Sequence, residues 1–69
     1  MNLSRLNEKI KENRYHWNTF SDAIGIKYQA FRRRMKGEVP FYLDEAFRIC
    51  DILNIQVDSA EFKSIFYDQ

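Results

Sequence analysis

The stretch WNTFSDAIGIKYQAFRRRMK, residues 17–36, constrains the fold more than any other part of the chain. Apolar residues recur about one helical turn apart on both sides of a single glycine, Gly25. Phe20 and Ile24 show this spacing before the glycine. Because glycine adopts a positive φ at no steric cost, the pattern predicts two short helices that meet at a tight corner.

The second helix of the pair is predicted over residues 28–35, with Phe31 and Met35 turned inward. Its outward residues are mostly hydrogen-bond donors and cations: Lys27, Tyr28, Gln29, Arg32, Arg33 and Lys36, with Arg34 at the edge. Residues 27–36 hold five positive charges and no acid. A short helix with such a face suits the major groove of duplex DNA. We therefore interpret the pair as a helix-turn-helix.

The net charge of +1 conceals a strong polarity along the chain. Residues 1–36 carry nine Lys/Arg and three Asp/Glu, a balance of +6. Residues 37–69 carry two Lys/Arg and seven Asp/Glu, a balance of −5. Since the local distribution matters more than the sum, one face is expected to meet phosphate while the opposite end repels it.

Length and composition predict one all-α domain over residues 1–69. An aromatic content of 16% supplies enough large side chains for a small core without a metal or a disulfide. Cys50 is the single cysteine, and with one histidine there is no metal-site spacing, so no metal or cofactor is expected. There is no membrane-spanning run and no signal-peptide core, which indicates a cytoplasmic protein.

Three further helices complete a bundle of about five. The first is predicted over about residues 3–13, capped by Asn2 or Ser4. The last begins at Ala60, capped by Asp58 or Ser59. The fourth, over about residues 43–53, has a broad apolar face made of Leu43, Ala46, Phe47, Ile49, Cys50 and Leu53.

The C-terminal segment is unusually aromatic. Phe62 is expected in the core, whereas Ile65, Phe66 and Tyr67 have two interpretations. They either complete the core or form a dimer contact, because chain termini fray unless something holds them.

Residues 10–53 resemble the Cro/repressor-type helix-turn-helix domains of phages and bacterial regulators. The matching positions are Phe20, Ile24-Gly25-Ile26, Phe31, Lys36-Gly37, Pro40-Phe41, Leu43-Asp44-Glu45-Ala46, Ile49, Leu53 and Asn54-Ile55. The resemblance implies a lambda-repressor-like fold and a sequence-specific transcriptional regulator of double-stranded DNA. Its location would be the cytoplasm of a bacterial cell or phage-infected host, at the nucleoid.

Three positions depart from the family pattern. Trp17 stands where a phosphate-contacting Gln is usual, and its indole N–H either donates to phosphate or its bulk packs on the first helix. Ser21 replaces an Ala at the close contact between the paired helices. Lys27 replaces the usual Ser or Thr cap, at a cost of ~1 kcal/mol for the cap and ~0.3–1 kcal/mol for the helix dipole. Contact with phosphate would explain a cation there.

Spacing and resemblance together assign roles on DNA. Tyr28, Gln29 and Arg33 are the expected base readers, since Gln matches an adenine edge and Arg a guanine edge. Arg32 fits either role. The expected phosphate contacts are Lys27, Arg34, Lys36 and Trp17.

Two other function classes remain. The first is an antirepressor, which would bind a partner repressor through the aromatic tail and the acidic half. An enzyme is disfavoured, because the sequence has no Gly-rich phosphate loop and no catalytic set at usable spacing. Besides a DNA operator and a partner repressor, a second copy of the chain is a possible partner, because Cro-like domains commonly bind DNA as symmetric dimers.

Overall fold

Five α-helices follow one another along residues 1–67, the part of the chain that the computed structural model describes. Their bounds are α1 Leu3–Glu12, α2 Trp17–Ala23, α3 Tyr28–Met35, α4 Leu43–Leu53 and α5 Ala60–Phe66. These residues contain no strand, so the prediction of an all-α fold with about five helices is confirmed. Within the same residues no helix is both long and apolar enough to span a membrane.

The sequence offered two candidate N-cap residues for the first helix and two for the last. The structure shows which residue caps each helix. Asn2 Oδ1 accepts the Arg5 N–H at 3.0 Å, which makes Asn2 rather than Ser4 the cap of α1. Ser59 Oγ accepts the Phe62 N–H at 3.1 Å and begins α5. In each helix the cap satisfies a backbone donor that has no partner within the helix.

The predicted corner at Gly25 is confirmed, and its hydrogen bonds explain why glycine is needed. Gly25 has φ +75°. The Ile26 N–H donates to Ser21 O at 2.9 Å, and the Gly25 N–H donates to Asp22 O at 3.2 Å. This pair of bonds closes the end of α2 only when the residue after the cap is left-handed. Gly37 ends α3 in the same manner, with φ +77°.

Arg48 fastens α4 to this corner. Its Nη1 donates to the carbonyl of Ile24 at 2.8 Å, and its Nη2 donates to Asp44 Oδ2 at 2.6 Å. The hydrogen bond from Arg48 lowers the pKa of the Asp44 carboxyl. The carbonyl at the end of α2 therefore has a partner from another helix, which fixes the corner relative to α4.

Two aromatic side chains, one from α2 and one from α3, form the centre of the core. Phe20 and Phe31 are both fully buried, and their ring centroids lie 5.8 Å apart in an edge-to-face arrangement. Burial of each ring removes ~150–250 Å² from water. The buried cluster around them comprises Leu6, Ile10, Phe20, Ile24, Ile26, Phe31, Met35, Ile49, Cys50, Leu53, Ile55, Phe62 and Ile65. Burial also raises the pKa of the Cys50 thiol, which therefore stays neutral as part of this core.

The C-terminal segment divides residue by residue. Ile65 and Phe62 belong to the core, and the carbonyl of Ile65 accepts the Asn2 N–H. Phe66 is half-buried. Tyr67 is 59% exposed, so only this residue keeps the second interpretation, a contact with another molecule.

The predicted apolar face of α4 is too broad. Leu43 is 71% exposed and Phe47 is 46% exposed, whereas Ala46, Ile49, Cys50 and Leu53 are buried. The four buried residues form one stripe at helical spacing. Leu43 and Phe47 flank that stripe on one side, where no other helix covers them.

Replacing Gly25 with Ala is expected to destabilise the protein more than replacing Gly37 with Ala. Both substitutions place a Cβ on a left-handed residue, which costs ~1–2 kcal/mol. At Gly25 the new Cβ would also lie 3.2 Å from Arg48 Nη1, whereas at Gly37 the nearest atom is Leu3 Cδ1 at 3.7 Å. Urea unfolding of both variants measures the difference. Equal losses would show that Arg48 does not constrain the corner.

Candidate nucleic-acid interface

Close packing on α2 determines which side of α3 is exposed. Phe31 and Met35 are buried, and so is Ser21 on α2. Ser21 Oγ donates to the Asn18 carbonyl at 2.9 Å, so its hydroxyl is satisfied inside its own helix. A small side chain at this position keeps the two helices close. The opposite side of α3 is left to solvent.

Four of the predicted cations on this segment are exposed: Lys27, Arg32, Arg33 and Lys36. Among residues 1–67 none of the four has a carboxylate oxygen within 4.0 Å. No ion pair within residues 1–67 therefore offsets the mutual repulsion of these four cations. A set of unpaired cations on one short helix is an electrostatic footprint for a polyanion.

The predicted base readers fall into two groups. Gln29 and Arg33 line one recess beside α3, which is also lined by Lys27, Ala30, Arg34 and Val39. Tyr28, 42% exposed, lines a second recess with residues 16–18 at the start of α2. The structure thus brings Gln29 and Arg33 together on one face, and it places Tyr28 where the N-terminal ends of α2 and α3 meet.

The N-terminus of α3 differs from those of the other helices in the described residues. Asn2 and Ser59 accept first-turn N–H groups of α1 and α5, while Thr19 and Glu45 accept the N–H of the cap residue at α2 and α4. At α3 the cap residue is Lys27, and its side chain makes no such bond. The first turn also holds no acid. Open N–H groups and a positive helix end beside a lysine favour an anion.

Arg34 is a correction to the predicted phosphate contacts. Its side chain is only 11% exposed, and its Nε donates to Glu45 Oε1 at 2.9 Å. The guanidinium carbon lies 5.3 Å from the centroid of the Tyr42 ring. Glu45 Oε1 also accepts the Tyr42 N–H at 2.8 Å, so one carboxylate holds both α3 and the start of α4. Arg34 therefore serves the fold, because its donor group faces a buried partner.

Trp17 follows the second of its two predicted interpretations. Its Nε1–H donates to Asn7 Oδ1 on α1 at 2.9 Å, and its ring meets Phe31 edge-on at 6.0 Å. The indole donor is therefore engaged with α1, and the assignment of Trp17 to phosphate is replaced by a packing role. His16, at the cap of α2, is exposed, and its backbone N–H donates to Thr19 Oγ1 at 3.0 Å.

Two exposed cations in the segment just before α2 were not singled out by the sequence patterns. Lys11 ends α1, and Arg14 follows it in the turn before α2. In residues 1–67 the acids of α1 pair with other cations, Glu8 with Arg5 and Glu12 with Lys9. Spacing alone does not reveal this choice, because Glu8 also stands three residues from Lys11.

Comparisons of the chain with protein-family models, with curated proteins and with solved structures find no match.

Arg34 and Arg33 are neighbours in sequence, and their replacement by Met is expected to have very unequal consequences for stability. Arg34→Met leaves the Glu45 carboxylate without its charged partner in a largely buried place, at a cost of ~2–3 kcal/mol. Arg33→Met removes an exposed, unpaired side chain and should change stability by less than ~0.5 kcal/mol. Urea unfolding without DNA measures both. If both variants lost a similar free energy of unfolding, Arg34 would have no structural role and would again be a candidate phosphate contact.

Proposed function

We propose that the protein is a sequence-specific double-stranded DNA-binding transcriptional regulator, a Cro-like protein or small repressor with a lambda-repressor-like fold. It acts in the cytoplasm of a bacterial cell or phage-infected host, at the nucleoid. Helix α3 enters the major groove. The observation that carries this proposal is the face of α3, where an uncapped N-terminus adjoins four exposed cations that have no carboxylate partner among residues 1–67.

The proposed roles divide between reading and holding. Gln29 and Arg33 lie together and have the donor patterns that read adenine and guanine edges. Tyr28 offers a ring and a hydroxyl from the recess at the start of α2, and Arg32 serves base or phosphate. Lys27 and Lys36, at the two ends of α3, hold the phosphates. This role requires no catalytic residue, metal or cofactor.

A second observation concerns an exposed apolar surface, which we call the apolar face. It consists of Met1, Tyr42, Leu43, Phe47, Val57 and Tyr67, which line a groove of about 800 Å³ between the loop after α3, α4 and α5. These side chains expose roughly 600 Å², taking about 200 Å² for a fully exposed large residue. A standard interface buries ~800 Å² on each partner.

We propose that a second copy of the chain covers the apolar face. The charged residues that line the groove are Arg34, which Glu45 neutralises, and Asp58. A two-fold interface sets each patch against itself, so a nearly neutral patch avoids a clash of like charges. A dimer also presents two copies of α3, which suits an operator with two half-sites. The alternative occupant is a partner repressor, as an antirepressor would require.

The DNA-binding proposal is tested by selecting sites from a random duplex library and titrating the protein at several salt concentrations. The logarithm of affinity should fall linearly with the logarithm of salt, by ~0.9 per phosphate contact. Gln29→Ala and Arg33→Ala should each cost ~1–3 kcal/mol on the selected site and much less on random duplex. Lys36→Ala is the matched control: it should weaken both duplexes alike and reduce the salt slope by about one. Binding that ignores salt would contradict the proposal.

The dimer proposal is tested with Phe47→Glu, which places a charge in the middle of the apolar face. Because Phe47 is already half exposed, the variant should remain folded, and light scattering should find it monomeric where the native chain is dimeric. Its affinity for a full operator should fall while its affinity for one half-site stays the same. A native chain that stays monomeric with and without DNA would exclude the second copy. Regulatory activity that survives the Gln29→Ala, Arg33→Ala double change but not Phe47→Glu would establish the antirepressor.

A further inference from the structure

Arg14 has an unexpected backbone conformation. Its φ is +64°, in the left-handed region. The other residues of positive φ among residues 1–67 are Gly25, Gly37, Asn54 and Asp58. Glycine, asparagine and aspartate are the residue types that tolerate this region best. Arg14 is therefore the exception, and the turn itself would be better served by glycine.

The surroundings of Arg14 hold this conformation firmly. The Arg14 N–H donates to Lys11 O at 2.9 Å, and the Tyr15 N–H donates to Ile10 O at 3.1 Å. This is the same closing motif that ends α2 and α3 at glycines. The Tyr15 ring then packs edge-on against Phe20, with centroids 5.2 Å apart, which anchors the turn to the core. None of these contacts uses the Arg14 side chain.

Intramolecular contacts do not explain the Arg14 side chain. It is exposed, and no carboxylate of residues 1–67 lies within 4.0 Å of it. A cation beside the carbonyl end of α1 is favourable, but Lys9 and Lys11 already occupy that last turn. Arginine is less favourable than glycine in this backbone conformation, and its side chain makes no contact that stabilises the fold. This combination indicates that the side chain binds another molecule.

The position of the turn indicates which partner the cation meets. Arg14 precedes His16 by two residues, and residues 16–18 share a recess with Tyr28 of α3. Since consecutive Cα atoms are ~3.8 Å apart, the Arg14 backbone lies within about 8 Å of the residue that begins this recess. A duplex that lies along α3 and over this recess would bring a phosphate within reach of the Arg14 side chain.

We infer that Arg14 binds a phosphate of the DNA backbone beside the site that α3 reads, and so extends the interface to the α1–α2 turn. This inference rests on the proposed function. The guanidinium is planar and permanently charged, and its fork of donors matches phosphate oxygens. The turn fixes the backbone of Arg14, so binding has to order the side chain alone. Such a contact contributes affinity without sequence information.

Arg14→Gly separates this role from a structural one, because the two expected effects have opposite signs. The melting temperature should rise by a few degrees, on the order of 4–8 °C if the relief is of the size typical for this backbone region. The affinity for selected and for random duplex should both fall about 5- to 10-fold at 0.1 M salt, with the salt slope reduced by ~0.9. Arg14→Lys keeps the charge and the strain, and should keep the slope.

Lys63→Gln is the control for net charge, because it removes an exposed cation from α5. It should leave the salt slope nearly unchanged. The inference is overturned if Arg14→Gly changes affinity by less than about two-fold with the native slope. It is also overturned if Lys63→Gln weakens binding equally, since long-range charge would then explain the loss. A native chain that binds no duplex removes the proposed function as well. Native binding that is lost in Gln29→Ala but kept in Arg14→Gly removes this inference alone.

Discussion

The contact between Phe20 and Phe31 determines the orientation of every exposed side chain on α3. The two buried rings join α2 to α3, and the left-handed Gly25 allows the chain to reverse between them. Trp17 and Phe41 pack edge-on against the same Phe31 ring. Because side chains on a helix repeat every 3.6 residues, fixing Phe31 inward leaves residues 29, 32, 33 and 36 to solvent. The face proposed to meet DNA is thus a consequence of core packing.

Ion pairing divides the cations of the chain into two sets with different roles. Arg34 and Arg48 each bond to α4 carboxylates, and Lys9 bonds to Glu61 at 3.0 Å, which joins α1 to α5 and raises the pKa of Lys9. The Arg34 and Lys9 pairs each join two helices, whereas the Arg48–Asp44 pair lies within α4 and Arg48 reaches the end of α2 through its bond to the Ile24 carbonyl. The unpaired ones in residues 1–67 include Lys27, Arg32, Arg33 and Lys36 on and beside α3, and Lys11 and Arg14 in the segment before α2. A buried carboxylate partner makes a cation structural, whereas its absence is only a condition for meeting phosphate, since Lys63 on α5 is unpaired in the same residues.

Local patterns were enough to predict the five helices, the corner at Gly25 and the exposed set on α3. Each depends on residues within a turn or two of one another: a cap, a glycine that ends a helix, or an apolar stripe. The errors lie where a distant residue decides. Glu45 is eleven residues from Arg34, and Asn7 is ten residues from Trp17. No spacing rule relates these partners, because tertiary packing brings them together.

The apolar face and the Arg14 turn were missed for related reasons. Leu43 and Phe47 fit a helical stripe, but burial depends on whether another element covers that side of α4. The left-handed Arg14 carries none of the usual residue signals for such a turn. A sequence pattern predicts on which face of a helix a residue lies. Whether another element covers that face, and whether the backbone is strained, depends on the folded structure.

The central claim is that the exposed side of α3 meets DNA while Arg34 and the apolar face do not. It is tested most directly by amide NMR shifts of the labelled protein during titration with a selected duplex. The account predicts that the largest shifts fall on Tyr28, Gln29, Arg32 and Arg33, extend to the turn at Arg14, and diminish with added salt. Shifts concentrated on Leu43, Phe47 and Tyr67, or none on α3 at saturating duplex, would contradict it.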